Sequence, residues 1–267
     1  LALEQRGELL RVSHPVDVEL EAGCIADLLV KRDGPAVIFD QPRLGDGSIS
    51  RYPLAMNLFG TRDRTNLALG VVEPKEIGEM MTGLMKPDIG GILRRPWTGL
   101  GLLRQGISMA PRKVSRGKCQ QVRMDDPDVT RLPIPTSWPQ DGGPFMTLPL
   151  VVTSDPETGV HNLGMYRSQV FGPDEVGLHW QKHKHGADHA EASDDRMPVA
   201  ICLGGPPQVI FSAISPLPDN LSEYEFAGLL SGRRLKITKC LTNDLWVPAD
   251  CDFVIEGYTL PSEKRIE

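Results

Sequence analysis

Several features that mark large classes of protein are scarce in this sequence. Its 267 residues include only five cysteines, an odd number with no Cys-x-x-Cys pair, which argues against a disulfide framework or a zinc site. No apolar run approaches the ~18 residues of a membrane-spanning helix. A formal net charge of −6 disfavours extended contact with phosphates, so we expect no nucleic-acid partner. These absences favour a cytoplasmic protein with reduced thiols.

The N-terminal segment also lacks the features of a signal peptide, because charged residues interrupt it at once. It resembles the middle of a helix, and we expect the natural chain to begin earlier. What is present is ordinary for a globular protein, with 40% hydrophobic and 24% charged residues. The length allows two modest domains or one large one.

Helices and strands alternate in the first 110 residues. Helical spacing predicts a short helix in residues 1–11, a helix over residues 16–31 capped by Asp17, and another that opens at Glu73 and Pro74. Short apolar runs predict strands at 36–39 and 52–59. We therefore predict a small α/β domain over residues 1–110. A stretch rich in Gly, Pro and Arg, residues 86–111, is typical of a linker.

The remaining residues, 111–267, are predicted to form a second domain made mainly of strands. The runs with strand character are 119–124, 147–153, 162–171, 199–203, 209–214, 235–240 and 253–258. One predicted helix, residues 221–230, interrupts them and ends at Gly232. Seven strands at irregular spacing with one helix indicate an α+β chain whose second part is a barrel or sandwich.

Polar side chains are dense between residues 161 and 189. Five of the six histidines fall there: His161, His179, His183, His185 and His189. In a predicted strand, Arg167 would share a face with apolar neighbours and would need an anionic partner. That partner could be a ligand or a structural carboxylate. The sequence leaves both alternatives open.

Asn162, His183 and Glu223 together suit Mg²⁺ or Mn²⁺ better than zinc, since they offer two oxygen ligands and one imidazole. Such an ion normally also holds a phosphate oxygen. The alternatives are a surface histidine and a glutamate that caps its helix. The pair His179 and His183 lacks the glutamate of a zinc-protease motif. Residues 212–216, after a predicted strand, offer hydroxyls and amides to a phosphate.

Together these segments resemble the UbiD family of prenylated-FMN-dependent decarboxylases. The signature comprises Asn-Leu-Gly-Met-Tyr-Arg (162–167), His-Trp-Gln-Lys-His-Lys (179–184), Pro-Leu-Pro-Asp-Asn-Leu-Ser-Glu-Tyr (216–224), Lys-Cys-Leu-Thr-Asn-Asp-Leu-Trp-Val-Pro-Ala (239–249) and Ile-Glu-Gly-Tyr (255–258). The resemblance implies that a flavin-reductase-like split β-barrel over residues 111–267 follows the N-terminal domain and holds prenylated FMN. It also implies a C-terminal domain that this sequence does not contain.

Roles for individual residues follow from the resemblance. It implies that Asn162, His183 and Glu223 hold Mn²⁺ against the phosphate of prenylated FMN, with K⁺ close by. The implied contacts with the flavin are Met165, Tyr166, Arg167, His179, Trp180, Gln181, Lys184, Ser212, Ser215 and Pro216. Arg167 and Glu267 match the catalytic arginine and the first of two catalytic acids, and the second acid would follow Glu267.

The implied reaction replaces the carboxylate of an aromatic or unsaturated acid by a proton. Residues 221–224 and 239–249 are closest to the 4-hydroxy-3-polyprenylbenzoate branch of quinone biosynthesis. The implied partners are a flavin prenyltransferase that supplies the cofactor, further copies of the full-length chain, and a membrane surface if the substrate is polyprenylated. We expect no turnover from these residues alone. The alternatives are an inactive flavin-binding fragment and a metal-dependent hydrolase that uses the histidines.

Overall fold

The computed structural model describes residues 2–85, 104–180, 185–193, 196–218, 221–260 and 265. The helices are α1 (Ala2–Gln5), α2 (Glu21–Lys31), α3 (Arg62–Leu69), α4 (Lys75–Met85), α5 (His185–Glu191), α6 (Pro207–Ser212) and α7 (Glu223–Ser231). Residues 104–109 are also helical. They lie inside the predicted linker, whose residues 86–103 are outside the described part of the chain.

The N-terminal part is built on a small sheet with the strand order β1-β3-β5. β1 (Leu9–Val12) runs parallel to β3 (Ala36–Phe39), and β5 (Leu54–Met56) runs antiparallel to it. A helix and this sheet enclose a core that includes Val16, Val37 and Phe39, each fully buried. The predicted strands at 36–39 and 52–59 are therefore confirmed, the second with closer bounds.

The predicted start of the second helix was wrong. Residues Val16–Asp17 form β2, which pairs in parallel with β4 (Pro42–Arg43), and α2 begins only at Glu21. The turn between them passes through Leu20, which has a positive φ of 64°. Pairing with a distant strand outweighs the helical spacing of the apolar residues, and it removes Asp17 from the capping position.

The second part of the chain carries three further sheets. The largest is antiparallel with the order β15-β12-β8-β9. Its strands are β15 (Phe253–Thr259), β12 (Met197–Leu203), β8 (Leu150–Ser154) and β9 (His161–Met165). The second sheet contains β7 (Phe145–Met146), β10 (Ser168–Gly172) and β11 (Glu175–Leu178), and the third contains β6 (Arg112–Val114), β13 (Lys236–Lys239) and β14 (Trp246–Pro248). In the described residues these sheets are separate and form no closed barrel.

Two predicted strands were wrong in this region. Residues 119–124 contain the end of a 3-10 helix, Lys118–Gln120, and irregular chain, and the local strand is β6 instead. Residues 209–214 overlap the helix α6, whose first residue is Pro207. Proline is well tolerated at the first position of a helix, and a short buried apolar run is equally compatible with helix or strand.

Four of the five cysteines lie around one core. Cys202, Cys240 and Cys251 are buried in it, Cys119 packs against it, and Cys24 is exposed elsewhere. All five thiols are free. Burial raises the pKa of Cys119 to about 11, so this thiol is almost entirely protonated at neutral pH. No helix among the described residues has the length and apolar character needed to cross a membrane.

Candidate active site

The signature residues come together where β9 ends. The predicted single strand over 162–171 is two strands, because the chain turns at Tyr166 and Arg167 before β10 begins. Asn162 and Tyr166 are buried, Met165 is half-buried and Arg167 is exposed. The turn therefore places a buried amide, a thioether, a phenol and an exposed guanidinium within six residues.

Tyr166 is held by three neighbours. Its hydroxyl oxygen accepts a hydrogen bond from the Gly186 amide at 3.2 Å, and its ring meets Trp180 edge-on with the centroids 5.0 Å apart. A methyl group added to Gly186 would lie 2.6 Å from the Trp180 ring, and one on Gly164 would overlap Tyr166 itself. Burial is the main cause that raises the pKa of Tyr166, and the nearby Glu223 carboxylate adds to it. The phenol therefore stays protonated.

Replacing Gly164 with alanine should destabilise this corner. The new methyl group must displace the Tyr166 ring, which is packed against Trp180, and overpacking of this kind costs about 1–3 kcal/mol. We expect a lower midpoint of thermal unfolding and a changed tryptophan fluorescence. Gly172→Ala is the matched control, since its methyl group meets no described atom within 4 Å. Equal effects of the two substitutions would contradict this packing.

Arg167 and His179 lie side by side at the open end of the hairpin formed by β10 and β11. The His179 amide donates to the Arg167 carbonyl at 3.2 Å. The guanidinium of Arg167 stacks on the ring of Phe145, 4.5 Å from its centroid. Both residues are exposed. The expectation that Arg167 shares a buried face with apolar neighbours was therefore wrong. A guanidinium supported on one side by a ring can still bind a carboxylate with its edge.

Glu223 reaches β9 directly beside Asn162. Its Oε2 accepts a hydrogen bond from the Leu163 amide at 3.3 Å. The alternative role, a cap of helix α7, belongs to Glu225, which forms a capping box with Ser222. Glu223 thus bonds to the strand, and Glu225 bonds to the start of their common helix.

The buried amide of Asn162 is the observation that tests a metal at this position. Its nitrogen is buried and makes no hydrogen bond of ordinary geometry among the described residues, although the Asn162 side chain lies close enough to the Tyr166 hydroxyl to lower its pKa. Since an amide can rotate to exchange nitrogen and oxygen, this position suits an oxygen that faces a cation. The third expected ligand, His183, lies outside the described residues, and the described part contains no group of three His, Cys, Asp or Glu side chains suited to a metal. Asn162 and Glu223 fit a hard divalent cation.

Ser212 and Ser215 lie at the end of α6 and just after it, not at the end of a strand. Their hydroxyls donate to the carbonyls of Gln208 and Phe211 at 2.6 and 2.8 Å. A hydroxyl used in this way retains lone pairs that can accept or coordinate. These two side chains therefore suit a cation better than they suit donation to a phosphate. Pro216 is exposed in the loop that follows.

Two histidines of the cluster have structural contacts. Nδ1 of His189 lies 2.9 Å from the Thr153 hydroxyl, and Nε2 of His161 accepts from the Trp246 amide at 3.2 Å. Burial lowers the pKa of His161, which keeps its ring neutral. The remaining expected site residues, Gln181, Lys184 and Glu267, lie outside the described residues, as does His183.

Sequence reasoning assigned no role in the site to Gly164, Gly186, Phe145 or Trp246, although Gly164 and Trp246 lie in signature segments. A glycine inside a predicted strand, such as Gly164, is the one signal that could have indicated close approach of a ring. Phe145 and Trp246 contact the site through a ring face and through the main chain. Residue type alone does not reveal such contacts.

Comparison with known proteins gives two matching family models. Residues 1–82 match the N-terminal domain of the 3-octaprenyl-4-hydroxybenzoate carboxy-lyase family, UbiD, and residues 112–267 match its Rift-related domain. An uncharacterized protein of Archaeoglobus fulgidus is 41% identical over 99% of this chain and 54% of its own length.

Two solved structures share the fold. An evolved dimeric form of the UbiD-class enzyme HmfF from Pelotomaculum thermopropionicum, in complex with prFMN, is 25% identical with a TM-score of 0.79, over 100% of this chain and 57% of that one. The vanillic acid decarboxylase of Sedimentibacter hydroxybenzoicus in its closed form is 29% identical with a TM-score of 0.81, over 98% of this chain and 54% of that one. The chain thus spans about half the length of the relatives it matches.

Proposed function

Since the chain belongs to the UbiD family, we propose that it forms the N-terminal and flavin-binding part of a prenylated-FMN-dependent decarboxylase. The observation that carries this proposal is the hydrogen bond of Glu223 to β9, directly beside the buried Asn162 side chain, whose amide nitrogen makes no hydrogen bond of ordinary geometry among the described residues. Three residues further along the chain, Met165 begins the turn that exposes Arg167. A cation site and a carboxylate-binding group are thereby joined by one short strand.

The cation and flavin would be held by this chain's own side chains. Asn162, His183 and Glu223 would bind Mn²⁺, with a phosphate oxygen completing its shell. The hydroxyl oxygens of Ser212 and Ser215 would coordinate K⁺. Met165, Tyr166, Arg167, His179, Trp180, Gln181, Lys184 and Pro216 would contact prenylated FMN. The chemistry that this flavin supplies when bound is an electron sink for the pair left behind as CO₂ departs.

Arg167 would bind the substrate's carboxylate through two parallel hydrogen bonds and so orient the bond that breaks. The Phe145 ring, 4.5 Å away, would limit where the guanidinium can move. The departing carboxylate must be replaced by a proton, which a carboxylic acid near the reacting carbon would deliver. Glu267 and a second acid beyond it would share this task.

The proposed substrate is a 4-hydroxybenzoate with a substituent at position 3, of the polyprenylated kind used in quinone biosynthesis. The family's description names such a compound. Vanillic acid, which the Sedimentibacter relative decarboxylates, has the same 4-hydroxybenzoate core. A flavin prenyltransferase would supply the cofactor, full-length chains would assemble with each other, and a polyprenylated substrate would bring the enzyme to a membrane surface.

The deciding experiment is production of the chain together with a flavin prenyltransferase. We expect the purified protein to absorb in the visible range and to release prenylated FMN, identified by its mass, together with manganese. Release of neither flavin nor manganese would contradict the proposal. Bound zinc without flavin would favour a metal-dependent hydrolase instead.

A second candidate function is a flavin-binding module without turnover, because the chain spans only about half of its relatives' length. Assays of CO₂ release from 4-hydroxybenzoates separate the two. We expect none from the 267-residue chain and turnover from a chain completed by the remaining half. Turnover by the shorter chain, with its intact mass verified, would show that the completing half is dispensable.

A further inference from the structure

A single residue, Trp246, is hydrogen-bonded to β9 and to α7, the elements that carry the proposed metal ligands Asn162 and Glu223. Its amide donates to Nε2 of His161 at 3.2 Å, and its carbonyl accepts from the Tyr224 hydroxyl at 2.6 Å. His161 directly precedes Asn162 on β9, and Tyr224 directly follows Glu223 on α7. Trp246 lies on neither element, since it begins β14. One residue of a third element thus links the strand and the helix through its main-chain N–H and C=O groups.

The hydrogen-bonding partners of His161 allow one tautomer only. Nδ1 lies 3.2 Å from the Gly159 carbonyl, which can only accept, so Nδ1 carries the proton. Nε2 then has a lone pair for the Trp246 amide. Because side chains alternate along a strand, this bond anchors β9 from the face opposite to Asn162.

Tyr224 anchors the helix in a similar way. It is 6% exposed and packs in the same core as Leu163 and Val247, so its hydroxyl bond to Trp246 is shielded from water. The direct contact between the two elements, Glu223 to the Leu163 amide, is longer at 3.3 Å. The link through Trp246 is therefore a second connection between α7 and β9, made of one bond of 2.6 Å and one of 3.2 Å.

We propose that His161 and Tyr224 are positioning residues that set the distance between Asn162 and Glu223 through the main chain of Trp246. The inference rests on the proposed function, in which those two side chains share a cation. A bound cation needs its ligands at fixed distances, and residues that orient the ligands typically change metal affinity by about 10–100-fold. Neither His161 nor Tyr224 needs to touch the cation for this effect.

The test uses Tyr224→Phe and His161→Leu in the 267-residue chain, with His161→Gln as the conservative variant, because a glutamine oxygen can accept from the Trp246 amide. Tyr258→Phe is the matched control, since it also removes a hydroxyl bonded to a carbonyl, that of Thr242 at 3.3 Å. Two quantities are measured for each variant. One is the dissociation constant of Mn²⁺ with FMN present, and the other is the hydrogen exchange rate of the Leu163 amide without metal.

We expect Tyr224→Phe and His161→Leu to weaken Mn²⁺ binding about 10-fold or more and to speed exchange at Leu163, while His161→Gln and Tyr258→Phe stay near the parent. Parent-like values for Tyr224→Phe and His161→Leu, or equal losses in Tyr258→Phe, would overturn the inference.

The variant Glu223→Gln distinguishes failure of this inference from failure of the proposed function. If that variant binds Mn²⁺ as the parent does, the metal site and this inference both fail. If it loses binding while Tyr224→Phe keeps it, only this inference fails.

Discussion

The Arg167→Lys variant should fold normally and retain most of its flavin, but its rate of decarboxylation should fall by about 100-fold or more. A guanidinium offers a carboxylate two parallel hydrogen bonds and keeps its plane against the Phe145 ring; an ammonium group does neither. Loss of a hydrogen-bonded charge contact costs about 2–5 kcal/mol, and about 1.4 kcal/mol corresponds to a factor of ten in rate. The measurement is CO₂ release by a chain completed with the half its relatives possess.

A matched control for this substitution lies directly before β12. Arg196 also stacks on an aromatic ring, that of Tyr258 at 4.3 Å, and it is also exposed. Arg196→Lys should leave turnover within about twofold of the parent, because exposed contacts of this kind are worth little. Near-parent turnover by Arg167→Lys would show that Arg167 serves the structure and not the substrate.

Glu223→Gln should lower the retention of manganese and flavin together. The substitution keeps the shape of the side chain, and its amide oxygen can still accept from the Leu163 amide, but the negative charge that a hard cation requires is lost. We expect manganese affinity to fall by more than about 10-fold, with a parallel loss of bound flavin. Metal analysis and flavin absorbance of the same preparation measure both quantities.

Glu225→Gln is the control for this prediction, since Glu225 lies on the same helix and its carboxylate accepts from the Ser222 amide and hydroxyl. Weakening a capping box lowers stability by roughly 0.5–2 kcal/mol and should leave the ratio of metal to protein unchanged. Flavin retained at the parent level after manganese is lost from Glu223→Gln would refute a metal bridge between the protein and the flavin.

Much of the fold could be predicted from sequence pattern. The α+β class was confirmed, as were the strands near 199–203, 235–240 and 253–258 and the helix that ends at Gly232. Pattern failed where tertiary pairing decides the outcome. β2 and β6 are two and three residues long, and each forms only because it pairs with a strand from elsewhere in the chain, β4 and β13 respectively. The division into two domains near residue 110 stays a prediction.

The candidate site was predictable for residues whose own chemistry indicates a role. Asn162 and Glu223 were predicted to be metal ligands, which stays a prediction, and the structure brings Glu223 to β9 beside Asn162. The sequence could not predict hydrogen bonds made by the main chain. Examples are the bond of the Gly186 amide to Tyr166 and the bonds of the Trp246 amide and carbonyl. Every residue type has these groups, so no sequence pattern distinguishes the position that uses them.

The strand order of the largest sheet has a consequence for the time course of synthesis. β12 lies between β8 and β15, so the sheet is incomplete until Thr259 has left the ribosome, whereas the first sheet is complete at Met56. At about 5–20 residues per second, the roughly 200 residues between these points take on the order of 10–40 s. Within that interval the apolar strand β8, with its fully buried Leu150, Val151 and Val152, lacks β9, β12 or both until Leu203 has been made. β12 then lacks its second neighbour, β15, until Thr259 has been made. A nascent chain in this state exposes apolar surface and unpaired strand edges, which favour aggregation.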